Sequence, residues 1–285
     1  MSLFGRGAPI VLLACELAAC AQAPDLPSEV AVRVYQTRSD VAVGAIEIQV
    51  HNGSATDITV SRALLRSPLL ADPALYDRVA RIPAGATVDL KTVLPDAACH
   101  AAAPSSAESG PSEASIDVTF QLDGRVGQET LAARDSLGQL RAITEAACLH
   151  ERVERIVTIR QPSEPHFSEG MLSLTYRFAP TGEPGSVMLI ATGPTTLLSP
   201  ATTDGRQVAT ERIGVRMAAP SSPRRVVVHY VPARCDAHAL AEDKQGTLLP
   251  ISVELDSAAG SYTLPVDAGL RSQIQRGVAR ICGLS

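Results

Sequence analysis

Along most of this chain hydrophobic residues recur at every second position, the period of a strand with one face in a core and the other in solvent. Residues 29–36 set Val30, Val32 and Val34 against Ala31, Arg33 and Tyr35, and residues 45–51 set Ile46, Ile48 and Val50 against Glu47 and Gln49. Further strands are predicted over 58–65, over 87–94 with Val88, Leu90 and Thr92 on one face, over 116–122 and over 126–131. His51-Asn52-Gly53-Ser54 contains Asn-Gly, whose residues tolerate the positive φ of a tight turn, and predicts a hairpin joining 45–51 to 58–65. The same residues match a glycosylation sequon, but the turn chemistry is the stronger reading. The period then lengthens. Leu137, Leu140, Ile143 and Ala147 lie three or four apart, one face of a helix that Asp135 caps and that ends at Cys148.

This order of elements then returns. Strands are predicted over 155–160, over 171–178 with Leu172, Leu174, Tyr176 and Phe178 on one face, over 187–191, over 212–217 with Ile213, Val215 and Met217 facing in, and over 224–231, 249–255 and 261–266. A helix capped by Asp267 follows, with Leu270, Ile274, Val278 and Ile281 on its face. Cysteines bracket the end of both copies at matching intervals, Cys99 to Cys148 spanning 49 positions and Cys235 to Cys282 spanning 47. Of the six cysteines, Cys15 and Cys20 fall in the N-terminal leader described below, and the remaining four allow three pairings. The repeat selects Cys99–Cys148 and Cys235–Cys282, because each copy then closes on itself. A bond closing a loop of about 50 residues contributes roughly 4 kcal/mol in the chain-entropy treatment. No C-x-x-C pair or close Cys/His spacing supports a zinc site instead. The expected fold is mainly β: two tandem immunoglobulin-like antiparallel β-sandwich units, residues 29–150 and 151–285, each with a C-terminal α-helix tied down by its disulfide. Residues 150–154 would link them.

Ahead of the strands, Arg6 and the apolar run 8–14 precede Leu17-Ala18-Ala19-Cys20, which resembles a bacterial lipobox, whose cysteine receives lipid. Residues 1–20 are therefore expected to be a lipoprotein-type signal peptide, with Cys20 as the attachment point and 21–28 as a polar tether. Glu16 and the short apolar run depart from the pattern, so plain secretion with cleavage near Ala21-Gln22-Ala23, or a retained anchor, stays open. The expected location is the outer face of the cell membrane, outside the reducing cytosol, where disulfides persist.

Composition narrows the function classes. A net charge of −5 carries no basic surplus for nucleic acid. With no tryptophan and 3% aromatics, no stacking platform for carbohydrate or single-stranded nucleic acid is evident. Lys91 and Lys244 are the only lysines among 25 basic residues, a skew that reads as genomic GC bias. H-E-x-x-H, G-x-S-x-G, S-x-x-K and phosphate-loop motifs are absent and the histidines are scattered, so neither catalysis nor a cofactor is expected.

The best candidate site follows Cys235, where Asp236, His238, Glu242 and Asp243 crowd into eight residues. A helical turn would set His238 and Glu242 at i, i+4 on one face, able to hold a divalent metal, a cationic ligand or a partner. The structural reading is that Asp236 caps a short helix beside the disulfide. The first copy reads Cys99-His100-Ala101-Ala102-Ala103 and lacks the acids. A second set, Arg212, Arg216, Arg224, Arg225 and Arg234, could share a face and meet anionic wall polymer or lipid, but reads best as a charged strand edge.

The lipobox-like leader, the two β-rich units and the stretch R-C-D-A-H-A-L-A-E-D-K-Q-G-T resemble a group of uncharacterised exported proteins of high-GC Gram-positive bacteria. That resemblance brings no activity or catalytic residue. The expected function is a non-catalytic cell-envelope lipoprotein acting as an interaction module, held to the membrane by its lipid and meeting an envelope protein partner. The alternative is a solute- or metal-binding lipoprotein serving a transporter.

Overall fold

The computed structural model describes residues 23–99, 114–162, 165–243 and 248–284. The predicted signal peptide, Cys20, His100 and Lys244 lie outside them. The first half contains β1 (Val30–Tyr35), α1 (Arg38–Val43), β2 (Ala45–Asn52), β3 (Ile58–Arg66), β4 (Ala74–Tyr76), β5 (Ala80–Ile82), β6 (Thr87–Val93), β7 (Ser115–Leu122) and β8 (Arg125–Ala132). Helix α2 (Gln139–Ile156) follows. The second half contains β9 (Val157–Arg160), β10 (His166–Ser168), β11 (Met171–Pro180), β12 (Ser186–Thr192), β13 (Leu198–Ala201), β14 (Glu211–Ala218), β15 (Arg224–Pro232), α3 (Ala237–Glu242), β16 (Leu248–Leu255), β17 (Ala258–Pro265) and α4 (Ala268–Ile281).

The protein is mainly β, and every pairing between these strands is antiparallel. One sheet runs β1-β2-β6, and a second runs β4-β3-β7-β8 with β5 also on β3. Their inner faces share one core, in which Val32, Ile48 and Leu90 of the first sheet meet Val60, Ile116 and Phe120 of the second. In the second half β10-β11-β15-β13, with β9 also on β11, faces β14-β12-β16-β17. Leu172, Leu174, Tyr176 and Phe178 of β11 and Leu249, Ile251 and Val253 of β16 belong to that second core. The period-2 pattern placed these faces correctly because each inward side chain removes its apolar surface from water. Both predicted disulfides form, each with its Cα atoms 5.1 Å apart.

The predicted Asn-Gly hairpin does not exist. β2 pairs with β1 and β6, whereas β3 lies in the opposite sheet, so residues 53–57 carry the chain across the core. Asn52 is fully buried, and its amide nitrogen donates to the carbonyls of Thr56, Ile82 and Pro83 at 2.8, 3.0 and 3.2 Å. Its side-chain oxygen accepts from the Ser54 amide at 3.1 Å and hydroxyl at 2.7 Å. The asparagine thus satisfies the backbone of a crossing rather than folding a tight turn. Two-residue loops do appear at Asp123-Gly124 and Asp256-Ser257, where both residues take positive φ.

Helix α2 also departs from expectation. It begins at Gln139, because the chain first turns at Asp135 and Gly138; the Asp135 carboxylate accepts from the Gln139 and Leu140 amides at 2.8 and 3.0 Å. Leu137 falls before the helix and is exposed, and Ala147 on the predicted face is exposed as well. The helix does not stop at Cys148 but runs through residues 150–154. Val153 and Ile156, at helical spacing beyond the cysteine, are buried in the second core, while Leu140 is buried in the first. The C-terminal helix follows its prediction: Leu270, Ile274 and Val278 are buried, and Asp267 accepts from the Leu270 amide at 2.7 Å.

Candidate functional site

At the stretch chosen from sequence, α3 spans Ala237–Glu242, so His238 and Glu242 do sit one turn apart on a short helix. Asp236 immediately precedes it, and the Arg234 guanidinium contacts the Asp236 carboxylate at 3.1 Å. His238 is exposed and Asp243 half-buried. Among the described residues no group of three or more His, Cys, Asp or Glu is arranged to hold a metal ion.

A more unusual arrangement lies on the outer face of the β1-β2-β6 sheet. Thr37 opens α1 with a capping box: its hydroxyl and amide pair with Asp40 while Asp40 caps back, and Gly44 closes the helix at φ 60°. This six-residue helix covers one end of β2. Glu47, whose alternation predicted a solvent-facing position, is consequently buried at 5% exposure, and Asp40 at 0%. Strand register places Lys91 of β6 opposite Glu47. The Lys91 ammonium lies 2.7 Å from Asp40 Oδ1 and 3.3 Å from Glu47 Oε1, while Glu47 Oε2 has no hydrogen-bond partner among the described residues.

Two buried acids thus share one half-exposed cation. Burial pushes the Glu47 carboxyl above its ordinary value; Lys91 opposes this, and the neighbouring Asp40 charge adds to it. Burial also disfavours the Asp40 carboxylate, but hydrogen bonds from Lys91 and Thr37 outweigh it and hold that carboxyl below its usual range. The hydrogen bond to Asp40, followed by that to Glu47, raises the Lys91 ammonium.

Lys91 connects this cluster to the surface. It lines an open hollow of about 320 Å³ together with Ala45, Leu75, Tyr76, Asp77, Arg78, Thr92 and Val93. The Arg78 guanidinium lies 5.1 Å over the Tyr76 ring and donates to the Lys91 carbonyl at 2.7 Å, and the Thr92 hydroxyl donates to the Leu75 carbonyl at 2.5 Å. Leu75 is 43% exposed and Val93 75%. Two large exposed hydrophobic side chains, Leu75 and Val93, therefore stand in one hollow whose lining also carries Asp77, Arg78 and Lys91. The sequence carried a local sign of α1 in Thr37-x-x-Asp40, the capping-box spacing; Lys91 carried none, because its partners are set by strand register.

Elsewhere, the Ser173 hydroxyl lies 2.8 Å from His229 Nδ1 on adjacent strands. The strand-register neighbours of His229 are Ser173 and Ala201, so no carboxylate stands opposite the imidazole across the sheet. In the second core the Tyr176 and Tyr230 hydroxyls are 2.7 Å apart, and Thr192 joins Tyr230 at 2.8 Å and the Pro250 carbonyl at 2.9 Å. Burial pushes the Tyr230 phenol up to about 12, which keeps this network neutral. The predicted arginine set divides between sheets: Arg212 and Arg216 project from edge strand β14, while Arg224 and Arg225 belong to β15 of the opposite sheet.

No protein family matches the sequence, and no curated protein matches it. Among solved structures the chain aligns with red sea bream transglutaminase at 11% identity and TM-score 0.23, over 84% of this chain and 31% of that one. It aligns with the CsuC-CsuE chaperone–tip adhesion subunit complex of Acinetobacter baumannii pili at 11% identity and TM-score 0.19, over 78% of this chain and 91% of that one. The receptor tyrosine kinase Torso gives 10% identity and TM-score 0.19, over 85% and 74%. The chain thus spans under a third of the transglutaminase, and similarities this low carry no functional argument.

Proposed function

We propose that this protein is a non-catalytic interaction module of the cell envelope, exported and lipid-anchored through Cys20, and built as two tandem immunoglobulin-like sandwich units. The matching strand orders support the duplication: β1-β2-β6 corresponds to β9-β11-β15, and β5-β3-β7-β8 to β14-β12-β16-β17. Both β3 and β12 also slip register by one residue at mid-strand, at Ser61 and at Ile190. Two intramolecular disulfides suit an oxidising compartment.

The observation that carries the interaction reading is the hollow beside α1, where Leu75 and Val93 are exposed together. Apolar side chains gathered in one place, rimmed by polar groups, mark surfaces that bury on association. The partner surface is apolar at its centre, with polar groups facing the Asp77, Arg78 and Lys91 rim. A photo-crosslinking side chain at Val93 should capture one defined envelope protein in the producing cell, whereas one at exposed Val126 should not. Leu75→Asp should abolish that product without loss of folding. Identical capture from both positions, or capture indifferent to Leu75→Asp, would remove this reading. The anchor is tested separately: Cys20→Ala should release the protein to the aqueous phase or leave it unprocessed with its leader attached, and a variant matching the parent in both detergent partition and mass would remove the lipid anchor.

A further inference from the structure

Strand register on the second half brings together three arginines that the sequence keeps far apart. Arg177 of β11 lies opposite Arg160 of β9 on one side and opposite Arg225 of β15 on the other. All three are exposed and belong to the outward-facing set of their strands, since Ile159, Tyr176, Phe178 and Val228 of the alternate set are buried. Adjacent strands lie about 4.8 Å apart, so the three side chains leave the sheet in one line roughly 10 Å long. Like charges directly opposite one another destabilise a sheet. Among the described residues none of the three has an acidic partner, and none stacks on an aromatic ring.

The corresponding outer face of the first half is built the other way. There Glu47 lies opposite Lys91, and Gln49, opposite Asp89, donates to it at 2.7 Å. Repulsion is relieved in one copy and kept in the other. The arginine row is also one residue deep. The next outward positions along the strands are Thr175 and Val227 on one side and Thr158 and Ala179 on the other, all uncharged. A face that docks on anionic membrane gains from cations spread over an area. A single line of cations, running across the strands, instead matches a chain of anions. Each guanidinium presents a planar fork suited to two oxygens of one phosphate.

We propose that the Arg160–Arg177–Arg225 row binds a linear phosphodiester polyanion laid across strands β9, β11 and β15. The site lies on the other half of the chain from the apolar hollow, so it stands or falls independently of that surface. The probe is a fluorescently labelled glycerol-phosphate oligomer, with binding by the full chain followed by anisotropy over a range of salt. The parent protein should bind, with affinity falling by a log–log salt slope of about 2, as expected for three phosphate contacts on a single strand. Arg177→Gln should weaken binding at least tenfold and flatten the slope by about 0.7. Arg125→Gln, at an exposed hairpin elsewhere, should leave both unchanged. Because Arg177→Gln relieves repulsion, its melting temperature should equal or exceed the parent's, which separates lost binding from lost folding. The proposal is overturned if the parent does not bind, or if Arg125→Gln weakens binding as much as Arg177→Gln. It is equally overturned if anionic phosphatidylglycerol vesicles bind in an Arg177-dependent way while the oligomer does not.

Discussion

Asn52 serves three backbone carbonyls from a site with no access to water, so its replacement strands several polar groups at once. Asn52→Ala should cost about 3 kcal/mol, since each stranded buried group costs about 1–3 kcal/mol. Urea unfolding checks this, and a loss below about 1 kcal/mol would show that water reaches the crossing. Glu47 makes a prediction of opposite sign. Its folded-state pKa is raised above the ordinary 4.5, so it binds its proton more tightly folded than unfolded. Stability therefore falls as pH rises from 4.5 through the folded value. Glu47→Gln should be more stable than the parent at pH 7 and equal to it once the pH is below 4.5. Asp40, with its folded pKa below 3.8, behaves conversely. Its contribution is present above 3.8 and is lost as pH falls through the folded value, so Asp40→Asn should be destabilised at pH 7 and converge with the parent in acid. Parallel unfolding curves at both pH values distinguish the two carboxyls.

The two long helices show how one pattern of residues can be used in two ways. α4 buries Leu270, Ile274 and Val278 in a single core, and Gly277 lets the Phe167 ring of β10 lie against its backbone. A Cβ at position 277 would overlap that ring. Gly277→Ala should therefore cost about 1–3 kcal/mol despite the better helix propensity of alanine. Thermal unfolding decides it; a gain in stability would mean that β10 yields without loss. Removing the adjoining disulfide through Cys235→Ser with Cys282→Ser should cost roughly 4 kcal/mol. α2 instead has two apolar ends, with Leu140 in one core and Val153 and Ile156 in the other. Asp135 as acceptor for its first amides was legible, because such contacts are local, although the N-cap position falls on Gly138 and not on Asp135. The length of α2 was not legible, because the helix is prolonged by contacts with strands that come later in the chain. Leu149 packs on Gly260 of β17, His150 stacks 4.2 Å from the Tyr262 ring, and Glu154 accepts from the Tyr262 hydroxyl at 3.1 Å.

At the level of the whole molecule, α2 is the one continuous element with buried side chains in both cores among the described residues. Its C-terminal half should unfold with the second core and its N-terminal half with the first. Val153→Ala should cost about 2 kcal/mol and speed amide exchange in β9, β11 and α4, with β1–β8 unaffected. Hydrogen exchange read by mass spectrometry tests this, and uniform acceleration across the chain would show that the two cores open together. The two surfaces singled out here, the apolar hollow by α1 and the arginine row of β9, β11 and β15, lie on different halves, so separate variants can address each.

Local rules carry a sequence a definite distance. Alternation assigned the buried faces of β1, β11 and β14, helical spacing assigned the face of α4, and the spacing of a repeat assigned both disulfides. Each depends on neighbours along the chain or on a pattern that recurs within it. Partnership between strands does not. β2 sends its chain across the core instead of turning back, α1 folds over a face that alternation marks as solvent, and Arg160, Arg177 and Arg225 align only through register between three strands. These were decided by tertiary packing, where the burial of one element determines what the next must cover, and where a charge acquires its partners from residues tens of positions away.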